Sequence, residues 1–573
     1  MAGTRRQRRR LAALRWKRLL ALAVLTALAL SGLAVRLGFV QLVRHRELAE
    51  AAVLQRAQTV PLGPTRGRIL DRDGVPLTDS LLTYRVAVYP AFFPPGSQRA
   101  AQLAALLELE AAELDSRLEA GGGPIFVVTG LTPERAAVVA GLGLEGLAVV
   151  ADERRYGPDA LASHAVGYWN GAAGDGLEKA WDSYLGGRGP ELLALFVDGR
   201  GQSVASLGWR KLAWTGDSPW TALPCDLVTT IDSEVQRAVE EVMDGSGPGV
   251  RRGAVVVMDP WRGDVLALAS RPDYDQGRVA DYLGRSDGSL VNRALSPYPA
   301  GSVIKSLVLA AALETGTVDR REVFECRGVV RVAGREVGCS ARATGGHGSL
   351  TVEEALAVSC NCVFVELGER LGQDRLRDWA SRLGLGRTCG IGLAGESAGA
   401  LPRPAEDGPE PEAAFGQGSL LVTPLQVARA YSVIANGGRL VLPRLVLELR
   451  SPVGAEAGLS RRGASPSAVQ ETGRVMAKWA AADVTRGLLE AVRGGTGQAA
   501  GVRGDVAGKT GTAETGRTGE GGEELYDAWF AGFWPAHNPR YVIVVLIEDT
   551  PAGGAEAAAV FGAILDHIAG VRP

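Results

Sequence analysis

Apolar and polar residues are arranged along this chain in successive patterns, each predicting a different element. From Leu19 to Val35 the run is apolar and uncharged. As a helix it rises roughly 25 Å, short of a hydrocarbon core of about 30 Å. Arg36 can snorkel and Leu37 to Val43 can extend the span, so one transmembrane helix is predicted over 19–43. Residues 44–225 mix short strand and helix patterns in no single repeat. Thr132-Pro133-Glu134-Arg135 opens a helix there, and Leu147 to Val150 reads as a strand. From Leu227 the pattern changes. A strand to Ile231 precedes the helix caps Asp232-Ser233 and a helix through Met243. Ala254 to Met258 and Val265 to Ala269 flank the turn Asp259-Pro260-Trp261-Arg262-Gly263-Asp264 as a hairpin. Ala528 to Phe533 and Tyr541 to Ile547 read as further strands, and Glu556 to Ile568 as a closing helix. Tyr541 to Ile547 is of strand length and ends in Glu548-Asp549, so no second membrane span is predicted. Strands at both ends with helices between predict an α+β domain around one antiparallel sheet with a helical insert.

Charge adds an orientation. Arg5, Arg6, Arg8, Arg9, Arg10, Arg15, Lys17 and Arg18 precede any acidic residue, which predicts a cytoplasmic N-terminus with the rest of the chain outside. A cleaved secretory signal is the alternative, because Ala27-Leu28-Ala29 mimics a small-residue cleavage site. A formal net charge of -2 gives no bulk affinity for nucleic acid. The divisions expected are a basic tail at 1–18, the anchor at 19–43, a pedestal at 44–225 and a catalytic domain at 226–573, with Lys211 to Pro224 as the boundary. The cysteines, Cys225, Cys326, Cys339, Cys360, Cys362 and Cys389, all fall outside the anchor. Cys326 and Cys339 flank a hairpin turning at Ala333-Gly334 and are the best-placed pair for a bridge, although diagonal in the simplest register. Cys360 and Cys362 have no second pair at a zinc-ligand spacing, which argues against a metal site. His347, between Gly346 and Gly348, reads as a turn residue.

The candidate chemistry lies in three short motifs. Ser302-Val303-Ile304-Lys305 opens an apolar helical run, and Ser359-Cys360-Asn361 and Lys509-Thr510-Gly511-Thr512 follow in that order. One helical turn puts Ser302 and Lys305 on one face, where a neutral amine can take the serine's proton. The basic residues are almost all Arg, and two of the lysines fall where this chemistry needs an amine. Arg could not deprotonate there. Ser359 and Asn361 sit in the break between two helices, the first opened by a capping box from Thr351 to Glu354 and the second closed by Gly372. Thr510 and Thr512 share one side of a predicted strand, and bare Gly511 would let an extended peptide add on as another strand. Three other motifs fail on context. Gly141 to Gly146 has a helix before it and a strand after, reversing a dinucleotide fingerprint. Pro402 and Pro404 forbid the helix a nucleophile elbow at Gly395 to Gly399 needs, and Gly504 is one residue short of a phosphate loop ending at Lys509.

The three motifs resemble those of the penicillin-binding protein transpeptidases. Arg66-Gly67-Arg68-Ile69-Leu70-Asp71-Arg72-Asp73-Gly74, Gly176-Leu177-Glu178, Gly346-His347-Gly348, Gly416-Gln417-Gly418 through Thr423-Pro424-Leu425-Gln426, and Trp529-Phe530-Ala531-Gly532-Phe533 look like the class B members, which serve elongation, division or sporulation. Val303-Ile304 and Ser306 stand where that family often has Thr-Phe and Pro. The resemblance implies a D,D-transpeptidase that is acylated by penicillin and needs no metal or organic cofactor. Ser302 would form the acyl-enzyme and release D-alanine, Lys305 and Lys509 would supply amines, and Ser359 would relay a proton to the leaving amine. Asn361 would hold the substrate's amide, Thr510, Gly511 and Thr512 the terminal carboxylate end, and the N–H groups of Ser302 and Thr512 the oxyanion. The implied partners are peptidoglycan stem peptides, on lipid-linked or nascent glycan, the membrane, and a polytopic glycosyltransferase. A carboxypeptidase or β-lactamase would use the same motifs with water as acceptor. A β-lactam sensor would need further membrane helices and a cytoplasmic output domain.

Overall fold

The computed structural model describes residues 3–570 except 46–47, 49–50, 52–55, 64–65, 121, 187–190, 199, 201, 205–206, 213–223, 246–248, 333, 409, 451–471 and 520. The chain forms two compact units interleaved in sequence. One comprises Met1–Gly63, Leu82–Asp152 and Pro190–Trp214, the other Pro64–Leu81, Glu153–Gly189 and Thr215–Pro573. Most of the boundary read at Lys211 to Pro224 lies outside the described residues.

In the first unit a helix, Gly3–Gly38, continues as a π-helical turn over Phe39–Val43. Ala13–Val43 is long and apolar enough to cross a membrane, and its leucines are exposed. Strand Leu81–Val88 lies between Ile125–Leu131 and Leu147–Arg154 in a three-stranded sheet. Thr132 caps helix Pro133–Gly141 through its hydroxyl, with proline in the first turn, as Thr-Pro-Glu-Arg predicts. A second three-stranded sheet joins Ala57–Gly63, Glu191–Phe196 and Trp209–Leu212.

The second unit is built on five antiparallel strands: β1 (Gly253–Met258), β2 (Val265–Arg271), β3 (Ala507–Thr518), β4 (Glu524–Trp534) and β5 (Tyr541–Thr550), in spatial order 2-1-5-4-3. Its helices include α1 (Ser233–Asp244), α2 (Lys305–Glu314), α3 (Val352–Ala357), α4 (Asn361–Leu371), α5 (Pro424–Ala435), α6 (Lys478–Arg493) and α7 (Gly554–Ile568). Successive side chains of a strand point to opposite faces. Val255 and Val257 therefore pack with α1 and α7, while Ala254 and Val256 pack with α2 and α5. Both faces are covered, which is why β1 is apolar throughout instead of alternating. Helix α2 is buried from Lys305 to Leu313, and its sequence is apolar on every side. Where the family often has proline, Ser306 places its hydroxyl 2.7 Å from Val303 O and 2.9 Å from the Tyr431 hydroxyl, so the departure is satisfied inside the core. The capping box Thr423-Pro424-Leu425-Gln426 opens α5, and the Gln426 amide also donates to Arg387 O and Ala398 O.

The motif residues near 66 and 176 meet in this unit. Glu178 is fully buried; its carboxylate accepts from Arg66 Nε at 2.6 Å, from Arg155 Nε, and from the Tyr156 hydroxyl at 3.0 Å. Gly67 passes so close to Cys225 that an added Cβ would lie 1.9 Å from its carbonyl oxygen. Glu178→Ala leaves two guanidinium groups without their buried counter-charge, and removing one partner of such a set costs about 3–5 kcal/mol. Denaturant unfolding is expected to show that loss. Glu448→Ala, at an exposed pair with Arg450, should change stability by less than about 1 kcal/mol.

Candidate active site

The segment Gly301–Ile304 is a 3₁₀ turn that feeds α2, whereas the sequence predicted one continuous helix. In a 3₁₀ turn residues i and i+3 eclipse, so Ser302 and Lys305 remain on one side. Gly301 has φ +57°, and an added Cβ would come within 3.0 Å of Thr512 N and O, so this turn is pressed against β3. From the other side Gly416 accepts from Gly301 N at 2.8 Å, and a Cβ on Gly416 would strike Gly301 O at 2.0 Å. Trp529 Nε1 donates to Pro299 O at 3.0 Å, fixing the approach to the turn from below. The glycines and tryptophan of these motifs are thus the packing that places Ser302.

Lys305 is completely buried. Its Nζ donates to Asn361 Oδ1 at 2.6 Å, Ser359 O at 2.8 Å and Ser359 Oγ at 3.1 Å. Two motifs more than fifty residues apart in sequence therefore share one hydrogen-bonded cluster. The direct Ser302–Lys305 bond expected from the spacing is not formed: among the described residues Ser302 Oγ has no hydrogen-bond partner, and the three ammonium protons are engaged by Ser359 and Asn361. A neutral amine has two protons and a lone pair, so deprotonation frees one of those three contacts. Burial pushes the Lys305 pKa down to about 8, against the raising effect of Cys339, Cys360 and Cys362.

Ser359 adopts φ +58°, a left-handed conformation uncommon outside glycine, in the short break between α3 and α4. The capping box Thr351–Glu354 is present, as expected, and Gly372 ends α4. Asn361 is not in the loop, however, but is the first residue of α4; its Nδ2 donates to Gly338 O at 2.9 Å. Its carboxamide is held at both ends.

Lys509, Thr510, Gly511 and Thr512 lie on β3, an edge strand whose partner is β4, with Lys509 opposite Ala531 and Gly511 opposite Trp529. A Cβ on Gly511 would lie 3.0 Å from both Ala300 O and Trp529 Cβ and 3.1 Å from Val303 Cγ1. The space that glycine leaves is therefore taken by the protein's own Ser302 turn, not by an incoming peptide as the sequence predicted. Thr512 is exposed and its Oγ1 accepts from Gly554 N at 3.1 Å. Lys509 is buried, with Nζ 3.1 Å from Thr496 Oγ1 and 3.3 Å from Thr510 Oγ1; the two threonine hydroxyls are 2.6 Å apart. Burial and then the charge of Lys305 hold the Lys509 pKa well below its usual range. Thr496 escaped the sequence reading. Its only signal is the glycine-rich flank Gly494-Gly495 and Gly497, which lets the chain turn tightly after α6: a Cβ on Gly495 would lie 2.2 Å from Ala357 O, at the end of α3.

The hairpin expected around Ala333-Gly334 pairs Val329–Val332 with Arg335–Gly338, though Ala333 itself is outside the described residues. Cys326 is not part of it: it ends a strand paired to Gly348–Thr351, opposite Gly348. All six cysteines are free. His347 is more than a turn residue. Its Nδ1 lies 3.4 Å from Cys339 Sγ and 3.6 Å from Cys326 Sγ, and Cys339 Sγ is 3.8 Å from Cys360 Sγ.

Residues 253–566 match the penicillin binding protein transpeptidase domain, and residues 61–188 the penicillin-binding protein dimerisation domain. The chain is 33% identical to stage V sporulation protein D of Bacillus subtilis over 559 residues, 92% of this chain and 82% of that one. It is 31% identical to the probable peptidoglycan D,D-transpeptidase PenA of Neisseria meningitidis, covering 96% of this chain and 91% of the relative. The peptidoglycan D,D-transpeptidase FtsI of Escherichia coli is 28% identical over 94% of this chain and 89% of its own. Among solved structures, the D,D-transpeptidase domain of a peptidoglycan glycosyltransferase from Eggerthella lenta aligns with a TM-score of 0.60 at 27% identity, covering 89% of this chain and all of that one.

Proposed function

The chain belongs to the penicillin-binding protein transpeptidases, as a class B member, and from that premise we propose how its own residues carry out the reaction. It is a peptidoglycan D,D-transpeptidase that penicillin acylates. In our reading Ser302 Oγ attacks the carbonyl between the two terminal D-alanines while neutral Lys305 accepts its proton. The N–H groups of Ser302 and Thr512, brought together by the contact between Gly301 and β3, receive the developing oxyanion. Ser359 Oγ, 3.1 Å from Lys305 Nζ, passes the proton to the departing D-alanine amine. An amine on a second stem peptide then attacks the Ser302 ester and regenerates the hydroxyl.

Substrate binding follows from the same surroundings. The free edge of β3 offers backbone groups to an extended stem peptide. The hydroxyls of Thr510 and Thr512 receive its terminal carboxylate, and Asn361 its amide. Burial disfavours a charge on Lys509 while Lys305 is also charged, and a bound carboxylate supplies the missing counter-charge. The Ala13–Val43 helix anchors the chain with a cytoplasmic N-terminus and the catalytic unit outside. Residues 1–18, 19–43, 44–225 and 226–573 then serve as tail, anchor, pedestal and transpeptidase domain. A polytopic glycosyltransferase in the same membrane provides the glycan strands.

The observation that carries this reading is the convergence of Lys305, Ser359 and Asn361 beside a turn that sets Ser302 against Thr512. The test labels the full-length chain with fluorescent penicillin, maps the modified peptide by mass spectrometry, and supplies a stem peptide with and without an acceptor amine. The expected result is a long-lived label on Ser302 and D-alanine release coupled to a cross-linked product. Label on another residue overturns the nucleophile, and rapid loss of label with hydrolysis as the only product makes the enzyme a hydrolase.

A further inference from the structure

Immediately behind the Ser359-Cys360-Asn361 motif lies a side-chain cluster that the transpeptidase reaction does not use. Cys326 Sγ, Cys339 Sγ, Cys360 Sγ and a ring nitrogen of His347 all lie within 4.8 Å of one another. The three cysteines are buried, with exposures of 1%, 6% and 0%. Their spacing distinguishes a metal site from a chance thiol cluster. A tetrahedral zinc ion has Zn–S bonds of about 2.3 Å and Zn–N bonds of about 2.0–2.1 Å, so two sulfurs bound to it stand about 3.8 Å apart and a sulfur and a nitrogen about 3.6 Å apart. The observed separations are 3.8 Å for Cys339–Cys360, 3.4 Å for Cys339–His347 and 3.6 Å for Cys326–His347. A disulfide needs its sulfurs at about 2.05 Å.

We propose that Cys326, Cys339, His347 and Cys360 form a structural zinc site that holds the Ser359-Cys360-Asn361 segment in its working conformation. Three soft thiolates and one imidazole are a donor set that selects zinc among the common divalent ions. Four protein ligands close the coordination sphere and leave no position for substrate, which makes the ion structural, not catalytic. On binding, each thiol that is protonated loses its proton to solvent as its sulfur takes up the metal. The ligands come from four separate places: the end of strand Val323–Cys326, the residue after strand Arg335–Gly338, the turn before Gly348, and the residue that precedes α4. One ion therefore ties three loops to the residue between Ser359 and Asn361. Ser359 is held at φ +58°, and such backbone persists only where its surroundings over-determine it. Asn361 adds a second tie, since its Nδ2 bonds to Gly338 O, next to Cys339. The four ligands are positioning residues: they touch neither substrate nor the reacting atoms, and act through Ser359 and Asn361 on Lys305. With the catalytic unit outside the membrane, as proposed above, where thiols are open to oxidation, coordination also protects these close sulfurs.

The test measures metal in the full-length protein purified in detergent without added metal. We expect about one zinc per chain, with Cys326→Ser and His347→Ala each losing most of it and Cys225→Ser retaining it. Cobalt(II) exchanged into the wild type should give the d–d and thiolate charge-transfer bands of a tetrahedral thiolate site. A strong zinc chelator should slow penicillin acylation at least about 10-fold, an effect on the scale of perturbed metal shells, and added zinc but not magnesium should restore it. Metal content and the cobalt spectrum do not depend on the enzymatic reading, so the two can fail separately. If the variants do not fold, chelation and reconstitution of the wild type still decide the matter. Fully acylating protein with under about 0.2 metal equivalents, or an active form with a Cys339–Cys360 disulfide, overturns the proposal.

Discussion

Ser302→Ala is expected to abolish covalent penicillin labelling, with the acylation rate constant falling at least about 10⁴-fold, on the scale of nucleophile deletions in other serine enzymes. The fold should hardly register the change. Ser302 is only partly buried, and among the described residues its hydroxyl has no hydrogen-bond partner, so removing it leaves no group unsatisfied. Stability is expected to change by no more than about 0.5 kcal/mol. Thermal unfolding and gel fluorescence on the same preparation check both halves. A stable variant that still takes label removes Ser302 from the chemistry, since the turn that carries it would be intact.

Lys305→Arg should also slow the reaction sharply, although it preserves the positive charge. The arginine stays protonated at any pH the protein survives, and it must fit a planar head where a single nitrogen is bound by Ser359 and Asn361 in complete burial. Loss of the base is expected to slow acylation by about 10²–10⁴-fold. In the proposed reaction the active form of the wild type is the neutral amine. With a pKa of about 8 for Lys305, roughly a tenth of the amines are neutral at pH 7, half near pH 8, and most by pH 9. The acylation rate constant should therefore rise with pH, reach half its maximum near pH 8 and level off by about pH 9. Stopped-flow acylation between pH 6 and pH 9.5 reads this directly. A flat profile, or a Lys305→Arg protein with an unchanged rate, would assign the proton to another group.

Much of the fold was legible because its signals are local. The hairpin of β1 and β2, strands β4 and β5, helices α1 and α7, and the capping box at Thr351 each depend on residues within one or two turns of each other. The candidate motifs were legible for the same reason: Ser302 to Lys305, Ser359 to Asn361 and Lys509 to Thr512 are short and have fixed spacing. What the motifs did not show was the other side of each contact. Gly511 looked like room for a substrate, and is filled by Ala300, Val303 and Trp529. The spacing of Ser302 and Lys305 is local, but only the fold shows that the three hydrogen bonds of Lys305 go to Ser359 and Asn361, more than fifty residues away. The motifs near 66 and 176 are more than a hundred residues apart in the sequence, and only the fold shows that their side chains meet at Glu178.

By itself, then, the sequence determined the apolar N-terminal helix, most of the elements and the family, since periodicity, caps and motif spacing are written within a few residues. Tertiary structure alone decided which groups touch. Cys326, Cys339, His347 and Cys360 match no zinc-ligand spacing in the chain, and they converge only because a strand pairing, a hairpin, a turn and a helix start bring them together. Coordination and proton transfer depend on distance in space, and folding sets that distance independently of separation along the chain.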